Sequence, residues 1–166
     1  MIRLRPMVRS IAIMLLLLNS GSAVAGQSWQ FQKNRDPLGS GFVAVASTKV
    51  GINAGTLRPM VRCWTETASL DVRFTLAPEQ SRPSVDRVLV AFDSKKPAAV
   101  DWSRNATRLA LVVPVPLQRA LLSKMRSGNE LRLTLMGTDG AQHTHLVRLD
   151  GSARAIDQAL ASCTGS

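Results

Sequence analysis

The residues best equipped for chemistry are few. His143 and His145 are the only histidines, and Cys63 and Cys163 are the only cysteines. On a strand, residues two apart share a face, so both imidazoles could reach one metal ion. Such a site needs a third or fourth ligand, and no His, Cys or carboxylate cluster lies nearby in the chain. The pair therefore reads as two polar residues on the exposed face of a strand, and neither a metal nor another cofactor is expected. A serine hydrolase of the elbow type needs Gly-x-Ser-x-Gly, which is absent. Gly39-Ser40-Gly41 lacks the Gly-Lys-Ser/Thr that would make it a phosphate loop. Paired-carboxylate catalysis leaves no local signature, because only folding brings its two acids together. No catalytic residue is nominated on these grounds, and the binding residues are unassigned.

The cysteines say more, because of what precedes them. Arg3, Arg5 and Arg9 form a basic segment, an apolar run follows through Ile11, Ile13 and Leu15 to Leu18, and Ala23-Val24-Ala25 supplies a small-x-small cleavage pattern. Residues 1–25 thus read as a cleavable signal peptide. Residues 26–166 read as one periplasmic domain of about 140 residues, long enough for a single core. No cysteine near the cleavage site invites lipid attachment, and no later run reaches the roughly 18 apolar residues of a membrane span. Export exposes thiols to oxidation, so an isolated even pair reads as one structural disulfide, Cys63–Cys163. A redox pair would call for a low-pKa exposed thiol and a Cys-x-x-Cys motif, and that motif is missing.

Short strands must position these residues. In 70–76, Leu70, Val72, Phe74 and Leu76 alternate with Asp71, Arg73 and Thr75, the pattern of a half-buried antiparallel strand. Residues 130–135 repeat it. The continuously apolar runs 88–92 and 109–113 suit central strands covered on both faces. Residues 42–48, 60–65 and 143–149 are further strands, and 29–32 is an edge strand. Turns fall at 36–41, 53–55 and 138–140, where Asp139-Gly140 is a hairpin signal, and 78–83 is a surface loop. A helix starts near Pro116, presents Leu117, Leu121 and Lys124 on one face and stops at Ser127-Gly128. A second runs over 153–161, capped by Ser152, with Ala153, Ile156, Leu160 and Cys163 on its inner stripe. Val61 and Cys63 then point to the core, and the bond staples the terminal helix to a strand. Closing a loop of about 100 residues constrains the unfolded chain by at most about 4.7 kcal/mol in the entropic account.

The chain carries a formal charge of +10, which falls to +7 when Arg3, Arg5 and Arg9 leave with the signal. That balance favours anionic envelope surfaces or an acidic protein partner. Nucleic acid is disfavoured, since there is no tyrosine and no aromatic platform interleaved with basic residues. The tryptophans read as core anchors more than as a binding face, with Trp64, alternating away from Cys63, either half-exposed or covering a second layer. Asn105-Ala106-Thr107 matches a glycosylation acceptor, incidental in a bacterial periplasm.

The order of landmarks is distinctive: Trp29, Asp36-Pro37-Leu38, Val45-Ala46-Ser47, Arg62-Cys63, Leu70-Asp71-Val72, Phe92-Asp93, Trp102-Ser103, and Leu149-Asp150-Gly151-Ser152 leading to Cys163. It resembles the small exported accessory proteins associated with type VI secretion clusters in Gram-negative bacteria and, more loosely, the invasion-associated locus B group. The chain departs from that pattern at Thr164, where a tryptophan is expected. The resemblance implies a periplasmic β-rich domain with no established enzymatic activity.

The expected fold is mainly β, an antiparallel sandwich-like domain with one short helix and a C-terminal helix tied by the disulfide. The expected function is that of a non-catalytic periplasmic accessory or binding protein, associated with type VI secretion or the envelope. Its partner would be an envelope or secretion-system protein, or an anionic envelope surface. Two rivals stand beside it: a periplasmic hydrolase, and an inhibitor of an envelope enzyme acting through the 35–41 loop.

Overall fold

The computed structural model describes residues 28–48, 57–76, 85–104 and 109–164. The signal segment, the turn at 53–55, the loop at 78–83 and the acceptor Asn105-Ala106-Thr107 lie outside the described residues. In chain order the elements are β1 (Trp29–Arg35), β2 (Phe42–Thr48), β3 (Arg58–Trp64), β4 (Ser69–Thr75), β5 (Val85–Phe92), β6 (Ala98–Val100), β7 (Ser103–Arg104), β8 (Ala110–Val112), α1 (Val115–Ser127), β9 (Glu130–Gly137), β10 (Gln142–Arg148) and α2 (Ser152–Thr164). They form a six-stranded sheet, β1-β2-β3-β4-β8-β7, and a four-stranded sheet, β10-β9-β5-β6. Each strand pair is antiparallel. The fold is mainly β, as the alternating sequence pattern predicts. Among the described residues no helix is long and apolar enough to cross a membrane.

Alternation sets which faces are buried. Val61 and Cys63 on β3, Val72 and Phe74 on β4, and Leu131, Leu133 and Leu135 on β9 all turn inward. With Val88, Val90 and Phe92 of β5, all of these but Cys63 belong to a single core shared by both sheets. Two tryptophans tie the layers together. The Trp29 indole N–H donates to the Arg148 carbonyl at 2.9 Å, joining β1 to β10. Trp102 stacks on Phe74 with centroids 5.1 Å apart. Trp64 lies on the outer, half-buried face of β3, with the Arg62 guanidinium 4.7 Å from its ring centroid.

The β9–β10 hairpin turns where Asp139-Gly140 predicts it. Gly140 has φ +82°, a conformation that costs glycine little, and Asp139 Oδ1 accepts the Ala141 N–H at 3.0 Å. β3 begins two residues ahead of the expected start at 60–65 and so includes Pro59. The proline is tolerated because the β2 ladder ends at Met60, so no β2 partner there requires the N–H that proline lacks. The run 109–113 is less enclosed than its hydrophobicity suggests: Leu109 precedes β8 and is 41% exposed.

Both helices begin and end close to their expected limits, and α1 rotates away from its expected stripe. α1 buries Gln118, Leu121, Leu122 and Met125, leaving Leu117 and Lys124 outside the core. Gln118 is held inward by donating to the Val113 carbonyl at 3.0 Å. α2 lies against β1, β2 and β3 through Ala155, Ile156 and Ala159. Of the expected stripe, Ile156 is fully buried, Leu160 packs half-buried against the core, Cys163 is bonded to β3 and Ala153 is half-buried, while Ala155 and Ala159 extend the buried face. Ser152 is the first residue of α2, not a residue ahead of it. Its hydroxyl donates to the Met125 carbonyl at 2.6 Å and so locks the two helices together. Cys63 and Cys163 are disulfide-bonded with Cα atoms 5.6 Å apart, within the usual range for such a bridge. The C-terminal helix is therefore stapled to the six-stranded sheet.

Candidate functional site

The groups with chemistry to offer do not converge. His145 is buried at 8% exposure while His143 is exposed, so the expectation of two exposed histidines fails for one. The register explains it: β10 is an edge strand, and the side carrying His145 and Val147 faces inward, opposite Leu133 and Leu131. Leu146, on the other side, is 52% exposed, the reverse of a simple amphipathic reading. Among the described residues no group of three or more His, Cys, Asp or Glu gathers as metal ligands would. Both cysteines are in the disulfide.

Two carboxylates are perturbed, and both have structural partners. Asp71 lies on the outer face of β4 between two arginines. Burial pushes its carboxyl up, but hydrogen bonds from Arg73 and Arg62, at 2.6 and 2.8 Å, with their positive charge, leave it below the usual carboxylate range. Asp93 occupies the turn after β5 with φ +53°. Its carboxylate accepts the Asn129 and Glu130 backbone N–H groups at 2.9 and 3.1 Å, which hold its pKa below the ordinary value. These bonds tie the β5 turn to the start of β9.

The same turn builds one wall of an open cleft of about 360 Å³. Val90, Phe92, Ala98 and Val100 of β5 and β6 form one side, and Leu117, Ala120 and Leu121 of α1 form the other, with Trp102 between them. The expected α1 stripe of Leu117, Leu121 and Lys124 thus faces a cavity, only Leu121 also reaching the core. Lys95, Lys96 and Lys124 stand exposed on its lining, and the Lys124 ammonium lies 5.8 Å from the Phe92 ring centroid. Asp93 is the one acid among the lining residues, so the cleft is apolar with a net positive rim. Gly128 closes the floor. Its N–H caps the Lys124 carbonyl at 2.9 Å, and a Cβ there would come within 3.0 Å of that oxygen and 3.3 Å of Leu149 Cδ1. Beyond Val100 and Trp102 lies a more polar hollow of about 470 Å³, bordered by Arg87, Asp101 and Ser103.

The 35–41 loop is a rigid protrusion. Asp36 N–H donates to the Gly41 carbonyl at 3.0 Å, Asp36 Oδ1 accepts the Leu38 N–H, and Ser40 donates to Glu66 at 2.7 Å from the adjacent turn. Leu38 stands at its tip, 96% exposed.

Lys95 and Lys96 were not singled out in the sequence. The signal for them is a basic pair set directly after an apolar strand, with Lys124 on the α1 face that also carries Leu117 and Leu121. Compared with protein-family models, with curated proteins and with solved structures, the chain matches none.

Proposed function

We propose that this is a non-catalytic binding protein of the cell envelope, exported to the periplasm, and that it engages its partner at the lysine-rimmed cleft. The observation carrying this reading is the cleft's composition. Two apolar walls and a cationic rim bind by burial and charge attraction. The perturbed carboxylates, Asp71 and Asp93, are engaged in holding strands and turns. The disulfide, which persists in oxidising compartments, supports export. The association with type VI secretion rests on the order of landmarks from Trp29 to Cys163 and is part of the same proposal.

The test is a photo-crosslinking residue at Leu117, in the cleft, compared with one at Asp139, in the distant hairpin, in intact cells. Adducts from Leu117 alone are expected. Equal labelling from both positions, or turnover of a cell-wall substrate by the purified protein, would overturn the proposal.

A second reading has its own observation. The braced loop with Leu38 at its tip suits an inhibitor that inserts one apolar side chain into a partner's socket. Crosslinks from Leu38 to an envelope enzyme, with none from Leu117, would favour it.

A further inference from the structure

We infer that the cleft holds an anionic single-chain amphiphile of the fatty-acid type, its alkyl chain between the two walls and its carboxylate among the lysines. This rests on the cleft being the binding surface. The polarity of the cleft runs from end to end. In the β5–β6 ladder Val90 pairs with Ala98 and Val88 with Val100, so Val100 lies further from the turn that carries Lys95 and Lys96. On α1, Lys124 follows Leu117 by two helical turns, about 10 Å along the axis. Phe92 receives the Lys124 ammonium over its ring, and its carbonyl accepts the Lys95 N–H at 3.0 Å. The three lysines therefore collect at the Phe92 end, while Val100, Trp102 and Leu117 furnish an apolar end.

Such a gradient fits a molecule with a charged head and an apolar tail. The groups opposing an anion at the Phe92 end are both compensated. Asp93 already accepts two backbone N–H groups. The C-terminus of α1 has its Lys124 carbonyl capped by Gly128, and Lys124 and Arg126 stand in its last turn. A cationic amphiphile would meet the lysines head-on. A protein partner would need an interface of roughly 800 Å² per side, whereas a cleft of this volume sits at the small-molecule end of the scale.

The experiment is calorimetric titration of the mature, oxidised protein at low salt with dodecanoate below its micelle concentration, against dodecyltrimethylammonium. Saturable binding of dodecanoate alone is expected. The double variant Lys95→Glu/Lys96→Glu should weaken dodecanoate about tenfold or more, as expected for reversing two exposed charges, and admit the ammonium compound. Ala120→Trp should block the cleft; Ala120 is exposed, and Leu117→Arg provides a second obstruction if the first perturbs folding. Equal binding of both detergents, or dodecanoate affinity indifferent to charge reversal, overturns the assignment while leaving the cleft as a binding surface. Absence of dodecanoate binding together with protein adducts from Leu117 does the same. Absence of both overturns the cleft reading as well.

Discussion

The two helices are each 13 residues long and pack against the same core, yet one closes its surface and the other leaves a gap. α2 meets the six-stranded sheet with Ala155, Ile156 and Ala159 buried and is covalently fixed at Cys163. α1 presents Leu117, Ala120 and Lys124 toward β5 and β6 without filling the space between. Close packing of alanines excludes a ligand, whereas a helix held at one face by Leu122 and Met125 and open at the other can host one. Stability and binding are thus assigned to two neighbouring helices of one small domain.

The largest effect should come from cutting the staple. Cys63→Ala with Cys163→Ala should lower stability by roughly 2–5 kcal/mol, read as the denaturant midpoint. Hydrogen exchange should rise first in α2 and only later in α1. A uniform rise across both helices would erase the proposed division. Next comes packing. Ala159→Phe should cost about 1–3 kcal/mol because its site is fully buried and closely packed. Ala120→Phe, in the cleft, should change stability little while obstructing ligand entry. Similar losses at both positions would mean that the two faces are equally tight.

Smaller effects follow from charge. Asp71→Asn should destabilise by about 1 kcal/mol, a half-buried and therefore screened value. Because the folded pKa of Asp71 is lowered, its stabilisation is fully present above the unfolded value near 3.8 and is lost as pH falls through the folded pKa. Acid unfolding of the wild type below about pH 4 should therefore be steeper than that of the variant, and parallel curves would contradict the assignment. The smallest effect is expected at the exposed ion pair between the helices, Arg126–Asp157 at 2.8 Å. Arg126→Ala should shift stability by less than about 1 kcal/mol, and more in low salt than in high.

Much of the fold is readable along the chain because its information is local. The alternation of Leu131, Leu133 and Leu135 with Arg132 and Thr134 needs only the period of a strand. Gly140 marks its own turn. Leu109 and His145 were misread because their exposure depends on neighbours distant in sequence. Leu109 falls just before β8 and is 41% exposed, and the inward register opposite Leu133 buries His145 although β10 is an edge strand. The candidate site was harder still. Lys95, Lys96 and Lys124 look like ordinary solvent-facing charges until β5, β6 and α1 are placed side by side.

By itself, then, the sequence determined the strand periods, the turns at 36–41 and 138–140, the two helices and an unambiguous partner for each cysteine, since two thiols permit only one intramolecular bond. Tertiary structure alone decided which face of α1 meets the core and which meets open space. The reason is physical: periodicity defines the faces of an element, but burial depends on how closely its neighbour approaches. That distance is set by side-chain volume at contacts between residues far apart in the chain.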